Sequence, residues 1–141
     1  MRLNYSSGVK TYEVDGGTIS FSPTDTKFAE RLYTTFDRLA KMQEDGEKKN
    51  EELAGDGKAL FNAIHAKESE MQSAIDSVFG EGASKKIFPE VGLYAVADGM
   101  PVWANFLFAV MEVVEDAMGD EHKKSESRME LIKKKYGKYM K

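Results

Sequence analysis

Residues 100–114 constrain the fold of this chain more than any other stretch, because they are apolar on nearly every face of the helix that they would form. The turn sequence Asp98-Gly99-Met100-Pro101 predicts the start of that helix, since proline suits a first helical position. A helix without a polar face has to be surrounded by other elements. It is therefore either the central element of a domain or a core helix that buries one side against a partner.

The same stretch does not predict a membrane span. It covers about fifteen residues, whereas a spanning helix needs roughly twenty apolar residues, and it contains Asn105 and Glu112. We therefore expect a chain of 141 residues to fold as one domain around this helix, with no membrane contact.

A β-hairpin is predicted near the beginning of the chain. Residues 10–14 and 18–21 both alternate polar and large side chains, and Asp15-Gly16-Gly17 between them supplies turn residues. Because a two-stranded hairpin is only marginally stable alone, it should pack on the helices or pair with another subunit.

Two further helices follow the hairpin. Ser22 is the expected N-cap of the first, with Pro23 at the first helical position and Asp25 completing a capping box. Its apolar stripe has helical spacing and consists of Phe28, Leu32, Phe36 and Leu39. Residues 43–52 are polar all round, so they form either an exposed helix end or a mobile linker.

The second of these helices is predicted over residues 58–79, with Gly80 as its terminator. A compact connector comes next, in which residues 84–88 form a short helical turn before proline. The fold class is thus mainly α, a small helical domain with an N-terminal β-hairpin. We place this domain at residues 1–118 and a basic C-terminal helix or tail at residues 119–141.

Charge separates the C-terminal segment from the rest. The chain has a net charge of −4 and a pI near 5.3, yet residues 131–141 hold five lysines and no acid. An acidic body disfavours nucleic acid as a partner, and a lysine run is most often simply solvated. The expected partner-binding residues are apolar anchors on the central helix and among these lysines, namely Trp103, Phe106, Leu131, Ile132, Tyr136 and Tyr139.

The inventory of catalytic groups is thin. Neither His65 nor His122 has a glutamate three residues before it, as a ferritin-like metal centre requires. Glu112, Glu115 and Asp116 share one helical face, which is either a divalent-ion cluster or, more simply, a solvated face. Backbone amides near Lys85 could hold an anion. We expect no enzyme activity, no cofactor and no metal, and the absence of cysteine fits a reducing compartment.

Three separated stretches carry a family resemblance: Phe21-x-Pro23-x-Asp25 with Phe28, Phe79-Gly80-Glu81-Gly82 leading to Lys86-Ile87-Phe88, and Asp98-Gly99-x-Pro101-Val102-Trp103-x-Asn105. Together they resemble the tail assembly chaperone-like proteins of long-tailed bacteriophages and related prophages. The resemblance spans roughly residues 18–118.

The resemblance implies a non-enzymatic protein of the host cytoplasm that binds the helical tape measure protein as a homo-oligomer. It would keep that client soluble until tail tube subunits polymerise around it, and it would be absent from the finished virion. A frameshifted longer form would help to recruit the tail tube protein. Two alternatives stay open: a phage structural or connector subunit, and a nucleic-acid-binding regulator that relies on the basic end.

Overall fold

Helices dominate the fold. The computed structural model describes residues 1–136, with side chains through Lys134. The predicted mainly α fold with an N-terminal hairpin is confirmed. In chain order its elements are β1 (Lys10–Val14), β2 (Gly17–Phe21), α1 (Thr26–Glu52), α2 (Gly57–Phe79), α3 (Ala83–Ile87), β3 (Val96–Ala97), β4 (Met100–Pro101) and α4 (Val102–Tyr136).

The N-terminal hairpin packs on the helices of its own chain. Strands β1 and β2 are antiparallel, with Lys10 opposite Phe21 and Val14 opposite Gly17. At the turn, the N–H of Gly16 donates to the carbonyl of Lys86 in α3 at 2.7 Å. A Cβ at position 16 would lie 2.7 Å from that same oxygen, so this contact requires glycine. The hairpin therefore packs on the helices of its own chain, which is the first of the two predicted alternatives.

Helix α1 begins later than the sequence predicts. Asp25, not Ser22, is the N-cap, and its Oδ1 accepts from the N–H of Lys27 at 2.9 Å. Residues 22–25 form a turn closed by the Asp25 N–H and the Ser22 carbonyl at 3.2 Å. This turn buries Pro23. The prediction failed because aspartate caps a helix as well as serine does, and burial of the proline decides between them.

The polar residues 43–52 are an exposed helix end rather than a linker, because α1 continues to Glu52. Helix α2 begins at Gly57, one residue before the predicted start, and packs against α1. Gly46 is buried at this contact, where a Cβ would lie 3.6 Å from both the Lys67 side chain and the Tyr94 hydroxyl. The predicted terminator Gly80 follows α2 with a φ of 111°.

A second, two-residue ribbon stands where the sequence predicted only a helix start. Val96 pairs with Pro101 and Ala97 with Met100. Asp98 and Gly99 between the two strands both have positive φ, 55° and 79°. Two such residues form a type I′ hairpin turn, for which Asp-Gly is a preferred sequence. Pro101 therefore ends a strand, and α4 begins one residue after it.

Helix α4 is continuous across the boundary that the sequence placed at residue 118. Its first half contributes much of the core, burying Trp103, Ala104, Leu107, Val110, Met111 and Val114. The helix is not fully surrounded, however, because Phe108 is 42% exposed and Ala109 is exposed as well. No helix within residues 1–136 combines the length and the apolar composition that crossing a membrane requires.

Candidate protein-binding surfaces

An apolar groove lies between the hairpin and α4. Its volume is about 210 Å³, and it is open to solvent. The hairpin supplies one wall and α4 the other. We call it the hairpin groove. It is lined by Tyr12, Glu13, Val14, Ile19, Phe21, Phe106, Ala109, Val110 and Val113. Eight of these nine side chains are apolar or aromatic, so the groove is suited to apolar side chains rather than to a charged ligand.

Stacked aromatic rings form the floor of the hairpin groove. The ring of Tyr12 stacks on Phe21 at 4.4 Å, and Phe21 stacks on Phe28 at 4.7 Å. On the α4 side, Phe106 meets Phe79 edge-on at 5.2 Å and Phe88 at 5.8 Å. Burial raises the pKa of the Tyr12 hydroxyl. These contacts fix both walls, so the groove is a preformed feature.

The second surface is the part of α4 beyond the body, residues 119–136, which we call the α4 extension. Every residue from 119 to 131 is exposed. At 1.5 Å per residue the extension is ~27 Å long. Met129 is 46% exposed and Leu131 is 67% exposed, with Arg128 before them, Glu130 between them and Lys133 and Lys134 after them. The extension thus offers apolar side chains that its own fold leaves uncovered.

The structure separates the six expected anchors into different environments. Trp103 is only 3% exposed. Its Nε1–H donates to Gln43 Oε1 at 2.6 Å, and its ring lies 5.5 Å from that of Phe36. Trp103 is therefore a core residue that joins α4 to α1 and offers no surface to a partner. Phe106, by contrast, is half-buried and lines the hairpin groove.

Two of the remaining anchors, Leu131 and Ile132, belong to the α4 extension and lie far along α4 from Phe106. Leu131 is exposed and Ile132 is half-buried. Tyr136 is the last residue of α4, and its side chain lies outside the described part of the chain, as does the whole of Tyr139. The structure thus brings Leu131 and Ile132 together on one stretch of helix.

Two further exposed aromatic residues, Phe108 and Tyr33, were not singled out as a pair from the sequence. Phe108, on α4, lies 5.0 Å from Phe36 on α1, and Tyr33, one turn before Phe36, is 43% exposed. In the sequence Phe36 belonged to a core stripe and Phe108 to an apolar run. Periodicity cannot indicate which member of such a run faces outward.

Two polar side chains of the body, Glu68 and Tyr94, have structural surroundings. Glu68 Oε1 accepts from the N–H of Leu93 at 2.8 Å, which ties the loop before β3 to α2. Burial, with the nearby carboxylates Glu68, Glu47 and Glu70, raises the pKa of Tyr94 to about 12. Tyr94 therefore stays neutral to a higher pH than an ordinary tyrosine does.

The residues that the sequence offered as ligand or metal sites make ordinary contacts in this structure. Within residues 1–136 no group of three histidine, aspartate or glutamate residues is arranged to hold a metal ion. The N–H of Ser84, beside Lys85, donates to Asp76 Oδ1 at 2.7 Å, so a carboxylate already occupies the expected anion position. His65 is exposed beside Phe61, and His122 lies 3.1 Å from Glu126 on the exposed extension.

Comparison with known proteins identifies one family. No curated protein and no solved structure matches the chain. A family profile matches residues 15–140. The matched region begins at the turn of the N-terminal hairpin and includes the whole α4 extension. The chain therefore belongs to the family of unknown function DUF6673.

Proposed function

We propose that this protein is a binding protein without catalytic activity, a tail assembly chaperone that covers the tape measure protein of a long-tailed bacteriophage. The observation that carries the proposal is the α4 extension, which exposes apolar side chains that its own fold does not use. The resemblance over residues 18–118 is the reason for proposing the tape measure protein as the client. Transient cover of the client during assembly, and absence from the finished particle, are parts of the same proposal.

The α4 extension is suited to a helical client. An amphipathic helix docks by placing side chains spaced three and four residues apart against an apolar surface. Met129 and Ile132 have that spacing, and Leu131 lies beside Ile132. A helical segment of the client that packs on this stretch would bury its own apolar stripe, which is what keeps such a segment from aggregating.

The expected strength of one contact is modest. Burying a leucine completely contributes about 1.5–3 kcal/mol, and Leu131 has 67% of its surface available, which leaves about 1–2 kcal/mol. An exposed lysine paired with a carboxylate contributes about 0–1 kcal/mol. Several chaperone copies along one client would together hold it firmly, while each copy remains removable by tube subunits.

The test compares two double variants by co-purification with the tape measure protein at physiological salt. Leu131→Ser with Ile132→Ser removes the apolar anchors, and Lys133→Gln with Lys134→Gln removes charge from the same turn. The matched control is Val91→Ser with Val96→Ser, which changes two exposed apolar residues of the body (51% and 71% exposed). The proposal predicts that only the Leu131 and Ile132 pair loses most of the client.

Other outcomes decide against the proposal. If the lysine pair has the larger effect and binding collapses as salt rises, an acidic or nucleic-acid partner replaces the helical client. If the chain is found in stoichiometric amounts in purified particles, it is a structural or connector subunit. Loss of the client with the Val91 and Val96 control would show that the α4 extension has no special role.

A further inference from the structure

The hairpin groove borders a strand edge that has no partner. Within residues 1–136 strand β1 pairs only with β2, so its other edge is free. A free edge presents unpaired N–H and C=O groups, which can pair with another extended segment. Here that edge runs beside an unfilled apolar groove. A strand added to β1 would therefore place every second side chain above the groove.

The segment that fits this position is present in the same chain. Residues 1–9, which we call the arm, precede β1 and have no regular structure. Their first five residues alternate apolar and polar side chains, with Leu3 and Tyr5 on one side and Arg2 and Asn4 on the other. Leu3 is 77% exposed and Tyr5 is 80% exposed. Such alternation is typical of a half-buried strand, yet nothing in the single chain covers its apolar side.

Length, side-chain direction and charge agree between the arm and β1. Five extended residues span ~17 Å in either segment. If Leu3 and Tyr5 point into the groove, Arg2 lies on the outer face of the ribbon. Glu13 lies at the rim of the groove, and its side chain is exposed on that outer face of β1, between the half-buried Tyr12 and Val14. Opposite charges on one face of paired strands stabilise the pairing.

In the single chain the arm does not fold back onto its own β1. A fold-back would require a reversal within residues 6–9. There the N–H of Gly8 donates to Ser6 Oγ at 3.3 Å and that of Val9 to Ser7 Oγ at 3.4 Å. Gly8 also lies close to the turn before α1, where a Cβ would meet Ser22 Oγ at 3.1 Å. The arm therefore runs from β1 past the turn before α1 instead of pairing with β1.

We infer that the arm of one copy adds as a strand to the free edge of β1 in a second copy, with Leu3 and Tyr5 in the hairpin groove of that copy. The contact is a self-assembly site on the hairpin side of the molecule. It is separate from the proposed client contact, which uses the α4 extension. A variant can therefore lose self-assembly and still bind the client, or lose the client and still self-assemble.

Disulfide trapping tests the contact directly, since the natural chain contains no cysteine. A chain with Tyr5→Cys, which keeps Leu3, is mixed under mild oxidation with a differently tagged chain that carries Ala109→Cys in the groove wall. The matched control partner carries Ala66→Cys, at an alanine of α2 that is also exposed. The inference predicts at least about tenfold more mixed dimer with Ala109→Cys than with Ala66→Cys.

Equal yields with the two partners would overturn the inference. So would a Tyr5→Cys, Ala109→Cys double variant that forms mainly an internal disulfide at low concentration, because the arm would then occupy its own groove. In a second measurement, sedimentation velocity, deleting residues 2–7 or introducing Ala109→Glu weakens self-association at least about tenfold, and Ala66→Glu leaves it unchanged. A full chain that stays monomeric at hundreds of micromolar contradicts the inference, whatever the client binding.

Discussion

Replacing Trp103 by phenylalanine separates a core residue from a partner-binding one. The change removes the indole N–H that donates to Gln43 Oε1 at 2.6 Å and leaves a smaller ring in a site that is 3% exposed. Loss of the hydrogen bond costs about 1 kcal/mol, and the cavity costs on the order of 1 kcal/mol more. The free energy of unfolding should therefore fall by about 2 kcal/mol.

Urea unfolding followed by circular dichroism at 222 nm measures this change. The midpoint should fall without a change in the slope m, since the variant exposes similar surface on unfolding. At 3–4 °C per kcal/mol for a chain of this size, the melting temperature should fall by about 6–8 °C. Gln43→Met, alone and combined with Trp103→Phe, isolates the hydrogen bond, and the two changes should be coupled by about 1 kcal/mol.

The reasoning is refuted by a Trp103→Phe variant that unfolds as the natural protein does but loses the client. Trp103 would then be an interface residue, as the sequence alone had suggested. Natural-like stability with natural-like binding would contradict the burial on which the calculation rests.

Three further changes test other parts of the structure. Leu131→Ser with Ile132→Ser should alter the free energy of unfolding by no more than about 0.5 kcal/mol, because these residues lie on an exposed extension; a melting temperature lowered by many degrees would place the extension in the core. Gly119→Ala should stabilise α4 by about 0.5–1 kcal/mol, since no atom lies within 4 Å of the new Cβ. Gly16→Ala should instead destabilise the hairpin, because its Cβ meets the Lys86 carbonyl. Equal unfolding midpoints for the two variants would contradict this expectation. The folded-state pKa of Tyr94 is raised from 10.0 to about 12. The stability that neutral Tyr94 contributes to the fold is therefore complete below pH 10 and is lost as pH rises towards 12. Midpoints in urea at pH 9 and pH 11 should show a smaller fall for Tyr94→Phe than for the natural protein, with the exposed Tyr33→Phe as control.

Much of the fold could be predicted because local signals agreed with the tertiary context. The Asp15-Gly16-Gly17 turn, the stripe from Phe28 and the terminator Gly80 each act within a few residues, and all three predicted elements are present. The start of α1 was wrong because two caps compete within four residues and the burial of Pro23 decides between them. The β3–β4 ribbon was missed because its strands have two residues each, too few for a period to appear.

The binding surfaces were harder to predict than the fold. Trp103 and Phe106 are three residues apart in one apolar run, yet one is core and the other lines a groove. Only the positions of α1 and the hairpin around α4 distinguish them. Leu131 and Ile132 were identifiable because an apolar pair just before a lysine run stands out in a polar segment. The arm was not identified, since its alternation acquires meaning only beside the free edge of β1.

The central claim is that this chain keeps a helical client soluble through the α4 extension. The most direct measurement is the soluble fraction of the tape measure protein when it is expressed alone, with the full chain, and with a chain that lacks residues 128–141. The account predicts that the client is largely insoluble alone, soluble with the full chain, and largely insoluble again with the truncated chain, whose melting temperature is unchanged. A client that stays equally soluble with the full and the truncated chain, or that gains no solubility from either, would contradict it.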